Sequence, residues 1–292
     1  MALIRINGLP AIDELEQEGY QFEEHAAEGS QPLRVAILNV MPLKEQTERQ
    51  LLRRIAAAGP LVQVTFLTTE SYQSTHVDPQ HLKRFYRTFS QIREENWDGL
   101  IITGAPVEHM EFEEVAYWNE LASMMEWSRS HVRSVLHICW GAQAGLYYHH
   151  GIPKRSLEHK QFGIYPHTVL ADIPLTHQMK TPFNAPHSRH TYTAKEDVQR
   201  VPELTIACES PMAGVYLISD EMNRRIYVTG HSEYEADTLE KEYHRDLAKG
   251  LSIQIPYHYF PGDDAAQKPI SVWKEHSQEL FHNWLTYYVS PN

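Results

Sequence analysis

The chain has 292 residues, 42% of them hydrophobic and 22% charged, a composition typical of a globular protein and unlike that of a disordered one. Its net charge of −12 disfavours nucleic acid and anionic membranes as main partners, because both bind basic surfaces. No apolar stretch approaches the roughly 18 residues of a membrane span, and the acidic first twenty residues are unlike a signal peptide. We therefore expect a soluble, cytoplasmic protein whose two cysteines, Cys139 and Cys208, are reduced thiols.

The first half of the chain alternates apolar runs of strand length with helix-forming segments, after a polar and acidic stretch at 1–32. We interpret 1–32 as an N-terminal arm and 33–292 as a single domain. Strands that are apolar on both faces indicate a parallel sheet covered on both sides, so the predicted fold is a doubly wound, mostly parallel α/β sheet. The predicted strands are 33–40, 61–68, 98–104 and 132–139, and the predicted helices are 45–59, 79–92 and 113–128.

The second half is less regular. Its predicted strands are 163–170, 213–219 and 225–230, and its predicted helices are 236–250 and 271–288. In the first of these helices, Leu239, Tyr243 and Leu247 are spaced four apart and predict one apolar face. The last helix lines up five large side chains that suit either the core or a subunit interface: Trp273, Leu280, Phe281, Trp284 and Tyr288.

Cys139 stands at the end of a predicted strand and is followed by Gly141 and Ala142 and a helix-compatible stretch. A nucleophile on a strand-to-helix turn needs small flanking residues, and the start of a helix favours a thiolate. His137, however, occupies the position where such a turn usually has glycine. The alternative is a buried cysteine that only fills space, and this motif alone leaves both open. Cys208 lacks such a turn and is interpreted as a filler.

A cysteine nucleophile needs a base, and His231 follows the strand 225–230 at the same edge of the sheet as Cys139 and Gly104. Glu233 lies two residues further, on the same side of an extended segment, where it can orient the imidazole and stabilise its charged form. The other candidate use of histidine is a metal site, but no zinc-type spacing occurs and no metal is predicted. The candidate ligands for such a site are His149, His150, His187, His190 and His231.

Five motifs in order identify a family. They are VAILNVMPLKEQTE (35–48), DGLIITGAPVEHMEFEEVAYW (98–118), HICWGAQAGLYY (137–148), APHSRH (185–190) and YVTGHSEYEADTLEKEYHRDL (227–247). With them the chain resembles the homoserine O-acyltransferase family of methionine biosynthesis over essentially its whole length. The fold of that family resembles class I glutamine amidotransferases, which agrees with the predicted sheet.

The resemblance implies a ping-pong acyl transfer without a cofactor. Cys139 would attack the thioester of an acyl-CoA co-substrate, with His231 as base and Glu233 orienting it, and the acyl group would pass to L-homoserine. The resemblance also suggests a homodimer. Backbone N–H groups of Trp140 and near Val107 would stabilise the oxyanion.

Further residues match family positions around the substrates. Lys44 would stabilise charge or hold substrate, although a solvated lysine at a helix start is the alternative. Arg245 matches an arginine implicated with the homoserine carboxylate, to which a planar guanidinium is suited. The others that match are Lys160, Ser188 and Arg189.

Glu108 falls at the position that separates the two donors in this family, with glycine in succinyl-using and glutamate in acetyl-using members. A carboxylate there would take up volume and repel the free carboxylate of succinyl-CoA, so we expect acetyl-CoA as the donor. If Glu108 points to solvent, the succinyl donor remains. Two more remote alternatives are a glutaminase-type amidotransferase and a non-enzymatic ligand-sensing protein on the same fold.

Overall fold

The computed structural model describes residues 3–72 and 77–291, and within them ten strands form one sheet. The strands are β1 (Leu33–Leu38), β2 (Val62–Thr68), β3 (Tyr86–Thr88), β4 (Trp97–Ile102), β5 (Val132–Ile138), β6 (Lys154–Val169), β7 (Phe183–Thr193), β8 (Leu204–Ser210), β9 (Gly214–Asp220) and β10 (Arg225–Val228). Their order across the sheet is β3-β2-β1-β4-β5-β10-β9-β8-β6-β7.

The sheet has a parallel half and an antiparallel half. The strands from β3 to β10 in that order pair in parallel, whereas the pairs from β10 to β7 are antiparallel. The parallel strands are joined by helices, because a parallel connection must cross from one end of the sheet to the other. β1 and β4 are buried along most of their length, as expected of strands covered on both faces. The predicted α/β fold is confirmed.

The predicted helices occur among the described residues, one of them broken, and the helices at 10–17 and 195–199 were not predicted. The helices of the described residues are α1 (Pro10–Gln17), α2 (Lys44–Ala57), α3 (Pro79–Phe85), α4 (Phe89–Ile92), α5 (Trp118–His131), α6 (Trp140–His150), α7 (Lys195–Gln199), α8 (Thr238–Ala248) and α9 (Lys274–Asn283), the last continued by a π-helical segment at Trp284–Val289. The predicted helix 79–92 is wrong at its centre, where β3 pairs with β2. Tyr86 is buried there and donates a hydrogen bond to Glu48 at 2.6 Å, a tertiary contact that overrides local helix propensity.

The stretch 1–32, predicted as an arm, lies against the domain where it is described. Leu9, Ile12 and Leu15 are fully buried. Because they recur every three residues, they lie on one face of α1, and that face packs against the core. Leu3 forms a parallel bridge with Val62, the first residue of β2.

The C-terminal helical segment belongs to the core. All five of its aligned side chains are buried, and Trp284 donates its indole N–H to Ser134 at 3.0 Å. The interface alternative for these side chains is therefore not needed. In α8 the predicted apolar face is only partly buried, because Leu239 is inaccessible but Leu247 is 44% exposed. No helix among residues 3–72 and 77–291 has both the length and the apolar character needed to cross a membrane.

Candidate active site

Cys139 forms a sharp turn between β5 and α6. Its backbone has φ +52° and ψ −115°, a combination that residues with a side chain rarely adopt. The turn is held by the Cys139 N–H, which donates to the carbonyl of Val228 at 2.7 Å. A non-glycine residue in this conformation at a strand-to-helix turn is the geometry of a nucleophile elbow.

Two glycines on α6 allow this turn to pack closely. A Cβ at Gly141 would lie 2.6 Å from the carbonyl oxygen of Thr103, so no side chain fits there. A Cβ at Gly145 would lie 2.6 Å from the ring of His137, which occupies the space that a larger residue would need. His137 departs from the glycine usual before an elbow nucleophile, and the space for its larger ring is left by the missing side chain of Gly145.

His137 is a neutral structural histidine. Burial lowers its pKa to about 3, and its Nδ1 lies 3.1 Å from the carbonyl of Ile226, to which it donates. Its ring also stacks on Tyr227 with centroids 4.8 Å apart. These contacts tie β5 to β10, the two strands that carry Cys139 and His231 at their ends.

Cys139, His231 and Glu233 form one buried group. The His231 imidazole and the Cys139 side chain line the same cavity, and His231 Nδ1 lies 2.7 Å from Glu233 Oε1. The ring of Tyr234 stacks on it with centroids 4.1 Å apart, and the His231 N–H donates to the carbonyl of Pro186 at 2.9 Å. Backbone and ring contacts therefore fix the imidazole between thiol and carboxylate.

The charges around His231 favour its protonated form. Burial alone would lower the pKa of the imidazole, but the charges of Cys139 and Glu233 and the hydrogen bond to Glu233 outweigh it and hold the pKa well above its ordinary value. Gly104 packs closely against Cys139 and His231, since a Cβ there would lie 3.3 Å from Cys139 Cβ and 3.6 Å from His231 Cε1.

A cavity of about 240 Å³ opens over Cys139 and His231, and we name it the catalytic cavity. It brings four more of the predicted residues to its walls: Glu108, Lys160, Ser188 and Arg245. It also has walls that the sequence did not predict: Met41, Pro42, Ala105, Pro106, His109, His190, Tyr234, Glu242, Asp246 and Leu251.

The acidic residues of α8 organise the far side of this cavity. Glu242 accepts a hydrogen bond from Ser188 at 2.5 Å and another from Tyr234 at 2.8 Å. Asp246 lies 3.2 Å from the ammonium of Lys160 and accepts from Arg245 at 2.8 Å. Both acids could have been found from their spacing of four, which puts them on one helix face. The wall carries both signs of charge, which suits a zwitterion.

Glu108 faces the catalytic cavity. Its Oε2 accepts a hydrogen bond from the N–H of His190 at 2.8 Å. Burial raises the pKa of its carboxyl, while that N–H and the positive charges of His231, Arg189 and Lys160 act in the opposite direction. The solvent-facing alternative for Glu108 does not hold.

Lys44 and Val107 line a second cavity of about 330 Å³, which shares the walls Met41, Pro42 and Pro106 with the first and which we name the adjoining cavity. Lys44 is buried, donates to the carbonyl of Asn39, and has its pKa lowered to about 8 by burial. It is therefore not a solvated lysine.

Trp140 is the first residue of α6, so its N–H has no acceptor within the helix and lies next to Cys139. The oxyanion roles of this N–H and of the backbone near Val107 stay predictions.

Arg189 and Cys208 point into the interior. The Arg189 guanidinium donates to the carbonyls of Thr191 and Ala213, both at 2.6 Å, and does not line the catalytic cavity. Its role around the substrates stays a prediction. Cys208 is buried in β8, and burial raises its pKa to about 12. Within the described residues, no group of three His, Cys, Asp or Glu side chains is arranged to hold a metal ion.

Comparison with known proteins adds the family. The family model described as homoserine O-succinyltransferase matches residues 3–292. A homoserine O-acetyltransferase of Agathobacter rectalis is 50% identical over 287 residues, covering 97% of this chain and 93% of that protein. Another, of Geobacillus kaustophilus, is 50% identical over 285 residues, covering 96% and 94%.

Among solved structures, a glutamine amidotransferase of Thermotoga maritima has a TM-score of 0.61 at 12% identity, covering 90% of this chain and 100% of that one, a likeness of fold alone. The sequence matches span nearly the whole chain at high identity and confirm the family that the motifs indicated. The chain is therefore an acyltransferase that belongs to the homoserine O-succinyltransferase family.

Proposed function

We propose that this chain transfers an acetyl group from acetyl-CoA to the side-chain hydroxyl of L-homoserine, through an acetyl-cysteine on Cys139, and releases O-acetyl-L-homoserine. The observation that carries the proposal is the arrangement of three residues: Cys139 and His231 line the catalytic cavity together, and Glu233 is hydrogen-bonded to His231. Homoserine acyl transfer is also what the names of the relatives describe for those proteins.

In the first half-reaction Cys139 acts as the nucleophile. Its thiol gives its proton to Nε2 of His231, because Nδ1 is engaged by Glu233. The thiolate attacks the thioester carbonyl, a carbon–sulfur bond forms, and the oxyanion accepts hydrogen bonds from the Trp140 N–H and the backbone near Val107. Collapse breaks the bond to the CoA sulfur, which leaves with the proton held by His231.

In the second half-reaction His231 acts as base for homoserine. The hydroxyl gives its proton to Nε2 as its oxygen attacks the acyl carbon, and the sulfur of Cys139 leaves as a thiolate. Acylation prepares this step, because it removes the charge of Cys139, the strongest influence that raises the pKa of His231. With that charge gone, the pKa of His231 is lower, which favours the neutral imidazole that a base requires.

The charged wall of the catalytic cavity suits homoserine. Its carboxylate pairs with the cations Arg245 and Lys160, and its ammonium with the carboxylates Glu242 and Asp246, all of which line the cavity. Arg245 keeps donors for a ligand, since a guanidinium has five N–H groups and its contacts to Asp246 use only part of them.

Glu108 supports acetyl rather than succinyl as the transferred group. Its side chain occupies part of the cavity beside Cys139, and its volume opposes a longer acyl chain whatever its protonation state. When ionised, it also repels the terminal carboxylate of a succinyl group in a site with little water.

The test is a product assay with both donors. We expect O-acetylhomoserine by mass spectrometry from acetyl-CoA, parallel double-reciprocal lines at several fixed homoserine concentrations, and little product from succinyl-CoA. Intersecting lines would contradict the acyl-enzyme, and a preference for succinyl-CoA would contradict the role of Glu108. Ammonia release from glutamine, with no acyl transfer, would instead support an amidotransferase.

A further inference from the structure

We propose that the adjoining cavity binds the pantetheine arm of the acyl-CoA, so that the two substrates reach Cys139 from different cavities. This inference rests on the proposed function. It assigns a binding site outside the catalytic cavity, on the side of the sheet edge formed by the ends of β1, β2 and β4.

The two cavities are continuous. Met41 and Pro42, which follow β1, and Pro106, which follows β4, are walls of both. The loop after β4 runs between them, because Val107 lines the adjoining cavity and Glu108 the catalytic one. A chain lying in the adjoining cavity would thus reach Cys139 past the same loop that is expected to supply an oxyanion donor.

The linings differ in chemistry. The catalytic cavity has carboxylates and cations on its walls, whereas the adjoining cavity is lined mainly by apolar and aromatic side chains, among them Val40, Tyr72, Val107, Val115, Ala116 and Tyr117. A small zwitterion matches the first lining, and an uncharged chain with two amides and a gem-dimethyl group matches the second. The pantetheine arm of CoA is such a chain.

The adjoining cavity also has the few polar groups that fix an amide chain. Thr68 and Thr69 lie at the end of β2, and Lys44 begins α2. The Lys44 ammonium donates to the carbonyl of Asn39, which leaves further N–H groups for an amide or thioester oxygen. Thr69 already donates to the carbonyl of Tyr72 at 2.9 Å and keeps acceptor capacity for an amide N–H.

The test narrows the adjoining cavity without touching the catalytic group. Ala116→Trp puts an indole at an exposed position on the wall of the adjoining cavity, and Ala266→Trp makes the same change at an exposed position that lines neither cavity. Two donors are compared, acetyl-CoA and the short thioester S-acetyl-N-acetylcysteamine, which lacks most of the arm. The rate of acetyl-Cys139 formation is measured by peptide mass spectrometry.

We expect Ala116→Trp to slow acylation by acetyl-CoA at least about tenfold, because binding energy from the remote arm promotes the reaction at the thioester. Acylation by the short thioester and the KM for homoserine should be unchanged, as should both rates in Ala266→Trp. A second variant, Tyr72→Ala, which removes an exposed wall residue, should raise the KM for acetyl-CoA in the same selective way.

Equal effects on both donors, or no effect of either variant on acetyl-CoA, would overturn the assignment of the arm to this cavity. If the unaltered protein formed no acetyl-Cys139 from either donor, the proposed function itself would fail. The two failures are therefore distinguishable.

Discussion

The two cysteines of this chain are both buried, yet their surroundings differ in every respect that matters to reactivity. Cys208 lies within β8 among apolar neighbours, and burial raises its pKa to about 12. Cys139 lies at the strained turn before α6 and lines a cavity together with His231. Burial is common to both, so it is the turn, the base and the opening that distinguish a candidate nucleophile from a residue that fills space.

The largest expected effect on activity comes from replacing each of the two cysteines by alanine, one at a time. Cys139→Ala should lower kcat/KM for acetyl transfer by about 10⁴-fold or more, because it removes the atom that carries the acyl group. Cys208→Ala should keep kcat/KM within about twofold and cost roughly 1–2 kcal/mol of unfolding free energy through a small core vacancy. Steady-state kinetics and urea unfolding measure the pair, and similar losses of activity in both variants would remove the distinction.

A pair of glutamates two residues apart sharpens the same contrast. Glu233 holds the imidazole of His231, whereas Glu235 pairs with Arg49 at 2.7 Å and with Arg53. Glu233→Gln should lower kcat by about 10²–10⁴-fold, since it disturbs the tautomer and the charge that the base needs. Glu235→Gln should lower the unfolding midpoint and leave kcat nearly unchanged.

Activity measured beside thermal unfolding separates the two effects. A Glu233→Gln protein with full kcat would show that His231 is oriented by its backbone and by Tyr234 alone.

The preference for one acyl group over the other depends on Glu108 rather than on the reacting sulfur, so a substitution there should change kcat/KM less than the loss of Cys139 does. Glu108→Gly should raise kcat/KM for succinyl-CoA relative to acetyl-CoA by about 10–100-fold, the range expected when a pocket gains room and loses a repelling charge. Competition between the two donors, read out as the ratio of acetyl- to succinylhomoserine, measures it. His109→Ala, at an exposed wall of the same cavity, is the matched control and should leave the ratio unchanged.

The smallest effect is a shift in the pKa of His231. In the free enzyme the charge of Cys139 helps to hold that pKa above its ordinary value. Acetylation removes this charge, so the pKa of His231 should be lower in the acetyl-enzyme, and transfer to homoserine should rise with pH through that lower value. NMR titration of His231 in the free enzyme and in Cys139→Ala, which lacks the same charge, should show the shift directly. An unchanged pKa would contradict it.

Much of this site follows from sequence because of sheet geometry. Parallel strands end at one edge, so Gly104, Cys139 and His231 could be placed together from three apolar runs and the residues after them. The residues around these three are harder to predict from the sequence. Glu242 and Asp246 sit on α8, whose orientation is set by long-range packing, and Arg189 follows a cavity residue in β7 yet turns inward to two carbonyls.

Local patterns also misled where tertiary contacts decided the outcome. Tyr86 lies in a stretch of helix formers that predicts a helix. It is instead in strand β3, where its side chain makes a buried hydrogen bond to Glu48. Leu9, Ile12 and Leu15 lie in an acidic segment that resembles a solvated arm. Their regular apolar spacing nevertheless forms a helix face that is buried against the domain.

The most direct measurement of the central claim is the mass of the Cys139 peptide after incubation with acetyl-CoA and no acceptor. We predict one added acetyl group on Cys139 and none on the Cys208 peptide, little or no succinyl adduct from succinyl-CoA, and loss of the acetyl group when homoserine is added. No adduct on Cys139 from either donor, with activity retained in Cys139→Ala, would mean that this turn is structural and that acyl transfer proceeds without it.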